Sequence, residues 1–123
     1  MFPVCREHDV SFIGFSPLGA GFLTGKYTAN RDELPERSRF DVIPGHCDVY
    51  FSDQSFARVE KLRELSEQTG HSMVRLAAAW AIAADDVACT LFGARTIAHL
   101  ENAIAARDPG VEQSILDEMS NWD

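Results

Sequence analysis

The chain has 123 residues, enough for one domain with a substantial core, and its 46% hydrophobic and 24% charged content is that of a globular protein. Its 19 acidic residues against 11 basic ones give a net charge of −8. That balance repels nucleic acid and anionic membrane surfaces, and no run of Lys and Arg offsets it.

No apolar stretch approaches the ~20 residues of a membrane span. The opening Met1-Phe2-Pro3-Val4-Cys5-Arg6 lacks the basic-then-apolar order of a signal peptide. Cys5, Cys47 and Cys89 are scattered without a CxxC pair, which speaks against a zinc site or a disulfide framework. The expectation is a cytoplasmic protein with reduced thiols, each a small apolar side chain that is buried or half-buried.

In chain order, Val10–Phe15 is a short apolar run rich in β-formers and closed by Ser16-Pro17. Without polar alternation it reads as a strand buried on both faces. Residues 18 to 52 turn to Gly, Pro, Asp and Arg with no sustained period, a long loop with room for a short helical turn. A helix is predicted over Asp53–Thr69, striped by Phe56, Val59, Leu62 and Leu65, capped by Ser52 or Asp53 and ended by Gly70. Ser72 caps a second helix with Met73, Leu76, Ala77, Trp80 and Ala84 on one face. Val87–Phe92 is a second buried strand, ended by Gly93-Ala94-Arg95. A helix over Ile97–Ala106 turns Ile97, Leu100 and Ile104 inward. Asp108-Pro109-Gly110 breaks the chain before a last helix over Glu112–Asn121. No internal repeat and no domain boundary is visible.

Strands alternating with helices imply a parallel α/β sheet, and the two strands are expected to lie adjacent. Two fully apolar parallel strands also need neighbours and helices on both faces. On these grounds the chain reads as one part of a larger α/β domain.

Two segments follow strands, where α/β proteins place ligand loops. The first is Phe15-Ser16-Pro17-Leu18-Gly19-Ala20-Gly21-Phe22-Leu23-Thr24-Gly25-Lys26-Tyr27. Its glycines let backbone approach a ligand, its amides and Ser16 donate to phosphate oxygens, and Lys26 brings a positive charge. Taken alone, such a loop is equally a plain turn. The second, Gly93 to Asn102, opens a helix whose N-terminus is an anion site reinforced by the Arg95 guanidinium.

Together these residues resemble the aldo-keto reductase family, which includes the β subunits of voltage-gated potassium channels. The resemblance lies in the Ser-Pro-Leu-Gly-x-Gly-x-Leu-Thr-Gly-Lys-Tyr run, in Arg37-Ser38-Arg39-Phe40, in Leu76, Ala77 and Trp80, and in Gly93 through Ala106. It implies the C-terminal portion of a (β/α)8 TIM barrel, with strands 7 and 8 and their loops and helices, as a single domain over residues 1–123. It implies NADP (NADPH) as cofactor. Phe15, Ser16, Pro17, Leu18, Gly19 and Ala20 would line the nicotinamide and pyrophosphate end. Lys26 and Arg39 would meet phosphate or the adenosine end, and Gly93, Arg95, His99 and Asn102 would hold adenosine and its 2′-phosphate. An Arg at that place favours NADP over NAD. Two positions depart from the family pattern: His99 stands where Gln is frequent, and Asn102-Ala103 replaces an acidic residue followed by Asn. Ala103 supplies no hydrogen bond.

The family transfers hydride between NADPH and a carbonyl, using a Tyr acid assisted by Lys, Asp and His. No stretch of this chain matches that set. Tyr27 belongs to the Gly-Lys-Tyr motif, Tyr50 lies in the long loop, His8 and His71 read as surface residues, and His46 as solvated loop. The chain alone is therefore expected to be inactive. It reads either as a truncated enzyme, or as a non-enzymatic partial-barrel module that binds cofactor or regulates a partner chain completing the barrel. The substrate is not legible.

Overall fold

Phe12–Phe15 (β1) and Val87–Leu91 (β2) pair in parallel, the adjacency expected from two apolar runs joined by a long connection. The register sets Phe12 against Val87, Ile13 against Cys89, Gly14 against Thr90 and Phe15 against Leu91, with an irregularity after Phe12. The computed structural model describes residues 1–107 and 110–122. Asp108 and Pro109 of the expected chain break lie outside them, while Gly110 takes a left-handed φ of +82°. Contacts divide the chain into two compact units, one of residues 1–17 and 75–123 and the other Leu18–Val74.

The first unit holds the sheet. Ahead of β1, Pro3 starts a short helix, Phe2–Glu7 (α1), which places Phe2 edge-on to Phe12 at 5.1 Å. Helix Met73–Ala83 (α5) enters this unit at Arg75 and buries Leu76, Ala77, Ala78 and Ala79. Helices Ile97–Ala105 (α6) and Gln113–Ser120 (α7) follow β2. Ala78, Ala79, Ala106 and Leu116 form a small core, packed by Ile82, Phe92, Val111 and Met119. Thr90 donates its hydroxyl to the Ala81 carbonyl at 3.2 Å, so this face of β2 meets α5.

The opposite sheet face differs from the expected burial. Alternation puts Ile13 and Phe15 on one side, in register with Cys89 and Leu91, and all four are exposed, Phe15 to 78%. Ile97, Leu100 and Ile104, expected to point inward, are likewise exposed, Ile97 to 77%. A parallel pair is buried on both faces only where elements cover both, and none of the described residues covers this one. Trp80, expected on the inner face of α5, is 46% exposed and donates its indole N–H to the Ser120 hydroxyl at 2.9 Å.

The second unit is built on α4, Asp53–Thr69, whose two ends match the sequence signals. The Ser52 hydroxyl accepts from the Ser55 amide at 3.1 Å, and Gly70 closes the helix at φ +73° with its N–H on the Ser66 carbonyl. Val59, Leu62 and Leu65 are buried.

Residues 18 to 52 are more ordered than the expected loop. They contain 3-10 turns at Gly19–Thr24, Arg31–Glu33 and Pro44–His46, and one-turn helices Arg39–Val42 (α2) and Cys47–Tyr50 (α3). Their side chains make an aromatic core of Phe22, Tyr27 and Phe40 with Cys47 and Val59, flanked by Tyr50, Phe51, Phe56 and Met73. Phe40 is at its centre, 4.5 Å from Tyr27, 5.2 Å from Phe51 and 5.5 Å from Tyr50 between ring centroids. His46, read as solvated loop, is half-buried, 6.3 Å from the Phe40 ring and 6.5 Å from the Tyr50 ring. Of the three thiols, Cys47 is buried, Cys5 half-buried and Cys89 exposed. Cys89 departs from its expected burial because it stands on the uncovered sheet face.

Candidate functional site

Parallel pairing has a direct consequence for the ligand loops. Phe15 pairs with Leu91 at the carboxyl ends of both strands, so Ser16-Pro17 and Gly93-Ala94-Arg95 leave the sheet at the same end. Ligands of parallel α/β folds bind at that end. A shallow depression of about 240 Å³, lined among others by Cys5, Arg6, Asp9, Asp85 and Asp86, lies at the opposite, amino-terminal end. An ion pair of Arg6 with Asp86 occupies part of its rim. Its position makes it the weaker candidate despite its volume.

Ser16 takes φ +55°, a left-handed value unusual for a residue with a side chain, immediately after β1. Strained backbone of this kind concentrates at functional turns. In the same unit, Gly93, Arg95, His99 and Asn102 are all exposed. Thr96 caps α6 by accepting the His99 amide on its hydroxyl at 3.3 Å. The His99 ring turns back, and its Nδ1 accepts the Arg95 backbone N–H at 3.3 Å. The imidazole reaches back as the Glu or Gln of a capping box does, but to Arg95, the residue before the cap, rather than to Thr96. With Nδ1 accepting, the neutral ring carries its proton on Nε2 and offers it as a donor. Asn102 lies three residues on and shares that helix face with His99. The Arg95 guanidinium makes no ion pair among the described residues. The start of α6 thus combines an exposed guanidinium, an imidazole donor and a helix N-terminus, a set suited to a phosphate and the polar groups near it.

The second unit carries Leu18, Gly19, Ala20, Lys26 and Arg39. Gly19, Ala20 and Gly21 have φ of +55°, +57° and +92°, three successive left-handed residues. The Leu18 carbonyl accepts the amides of Gly21 at 2.9 Å and Leu23 at 3.2 Å, and the Thr24 hydroxyl donates to the Gly21 carbonyl at 2.8 Å. A Cβ built on Gly21 would lie 3.5 Å from the Lys26 ammonium, so the Lys26 side chain lies directly over this turn. Lys26 is exposed, stands 5.0 Å above the Tyr27 ring and makes no ion pair among the described residues. A cradle of bare backbone facing an unpaired ammonium fits a phosphoryl group. Arg39 opens α2, exposed, and its side chain meets neither Lys26 nor the Gly19–Gly21 segment in any hydrogen bond among the described residues. Gly21 and Thr24 were absent from the expected set, although the Gly-x-Gly spacing marks Gly21.

The aldo/keto reductase family model matches residues 1–119. Among curated proteins, the chain is 30% identical over 105 residues to L-glyceraldehyde 3-phosphate reductase of Escherichia coli, covering 82% of this chain and 30% of that one. It is 28% identical over 102 residues to a Schizosaccharomyces pombe protein named aldo-keto reductase yakc [NADP(+)], covering 83% of this chain and 29% of that one. Among solved structures, a glycerol dehydrogenase from Gluconobacter oxydans superposes with a TM-score of 0.64 at 21% identity, covering 97% of this chain and 36% of the other. The shared α/β fold is thus part of a TIM barrel. The chain spans about a third of the length of these relatives. No helix among the described residues is long and apolar enough to cross a membrane.

Proposed function

The chain belongs to the aldo/keto reductase family, and from that premise we propose that it forms the NADP-binding part of an enzyme that transfers hydride between cofactor and a carbonyl or alcohol. The observation that carries this reading is the parallel pairing that delivers the Ser16-Pro17 turn and the Arg95 loop to one end of the sheet. A relative whose name includes NADP(+) supports the choice of dinucleotide. Bound NADPH supplies the hydride. The chain's own part is to hold and orient: bare backbone at Gly19–Gly21 and Lys26 for phosphoryl oxygens, and Arg95, His99 and Asn102 for the adenosine end. Arg39 adds positive charge on the second unit.

The exposed apolar side chains Ile13, Phe15 and Leu91 on the sheet, and Ile97, Leu100 and Ile104 on α6, support a further part of the barrel covering them, on the same polypeptide or on a partner chain. The catalytic acid would belong to that part. Tyr27 and Tyr50 are poor substitutes, since their rings pack against Phe40 in the aromatic core.

Titration of NADPH and NADH into the chain and into Arg95→Ala tests the assignment. A lost charge-assisted contact to a 2′-phosphate is worth roughly 1.5–3 kcal/mol. NADPH should weaken by about 10- to 100-fold and NADH much less, with Arg95→Lys recovering part, because it lacks the planar fork. Equal weakening of both cofactors would show that Arg95 does not read the 2′-phosphate.

A further inference from the structure

We draw no further inference here: the strongest candidate, the apolar sheet face exposed at Ile13, Phe15 and Leu91, carries nothing beyond the barrel reading already given, because nothing among the described residues shows what covers it.

Discussion

Replacing Phe40 by Ala tests whether the segment between β1 and α4 is a core or a decorated loop. Phe40 is completely buried, and its ring lies between 4.5 and 6.3 Å from those of Tyr27, Phe51, Tyr50 and Phe22. Deleting a buried aromatic ring costs roughly 3–5 kcal/mol, depending on how far the surroundings collapse into the space. Here the neighbours are rigid rings, Phe22 on a 3-10 turn and Tyr50 on a one-turn helix among them, which cannot close the gap easily. The edge-to-face pairs lost with the ring also contribute, at about 0.5–1.5 kcal/mol each in general. The expected loss is therefore in the upper half of the range, about 4 kcal/mol, against a total of about 5–15 kcal/mol for a folded domain. Urea denaturation is the assay. With a slope of about 1–3 kcal/mol per molar, the midpoint should drop by more than about 1 M. Both tryptophans, Trp80 and Trp122, lie in the other unit, so near-ultraviolet tyrosine dichroism is the local probe. A loss below about 1 kcal/mol would refute the placement of Phe40 at the centre of a packed cluster.

Two further substitutions probe the same unit by chemical denaturation. Gly25→Ala places a Cβ at φ +74° and 2.8 Å from the Met73 sulfur; the thioether can swing away, so the backbone penalty dominates, and a loss of about 1–2 kcal/mol is expected. A stability equal to that of the parent chain would mean that Gly25 is not left-handed. Ser38→Ala removes the buried hydroxyl that accepts the Asp41 amide at 3.3 Å at the start of α2, with an expected loss of about 1 kcal/mol. Recovery by Asp or Thr at that position would identify the loss as capping, and a failure of both to recover it would count against the cap.

The elements legible in the sequence are those whose signals are local. Helix α4 carried its apolar stripe and both caps within 19 residues, and Ser52 and Gly70 perform the roles their types suggest. The strands were legible in place and direction but not in environment. Burial of Ile13, Phe15 and Leu91 depends on neighbours that local pattern cannot specify. Trp80 failed for the same reason: its helical phase placed it inward, while α7 offers Ser120 as a polar partner at the rim. The aromatic core was hidden because single helical turns are too short to show a period. Its available signal was density, with Phe40, Tyr50, Phe51 and Phe56 closely spaced in a stretch otherwise rich in turn formers. In the candidate site, the loops were legible because they follow strands. The bond from the Arg95 amide to the His99 ring depends on geometry that residue type alone does not carry.

The segment Leu18–Thr24 shows how a short loop can be fixed in a left-handed backbone by its own contacts. A turn that only reversed the chain would place Gly at each left-handed position, yet Ala20 sits between Gly19 and Gly21 at φ +57°. That choice costs about 1–2 kcal/mol relative to an unstrained residue. It persists because the surroundings determine it: the Leu18 carbonyl holds the Gly21 and Leu23 amides, the Thr24 hydroxyl holds the Gly21 carbonyl, and Phe22 is anchored among Phe40, Tyr50, Phe51 and Phe56. The aromatic core and the turn are thus one construction, with Phe22 buried in the core and Gly21 on the turn beside it. A loop fixed this way loses little further freedom on binding, so more of each contact appears as affinity.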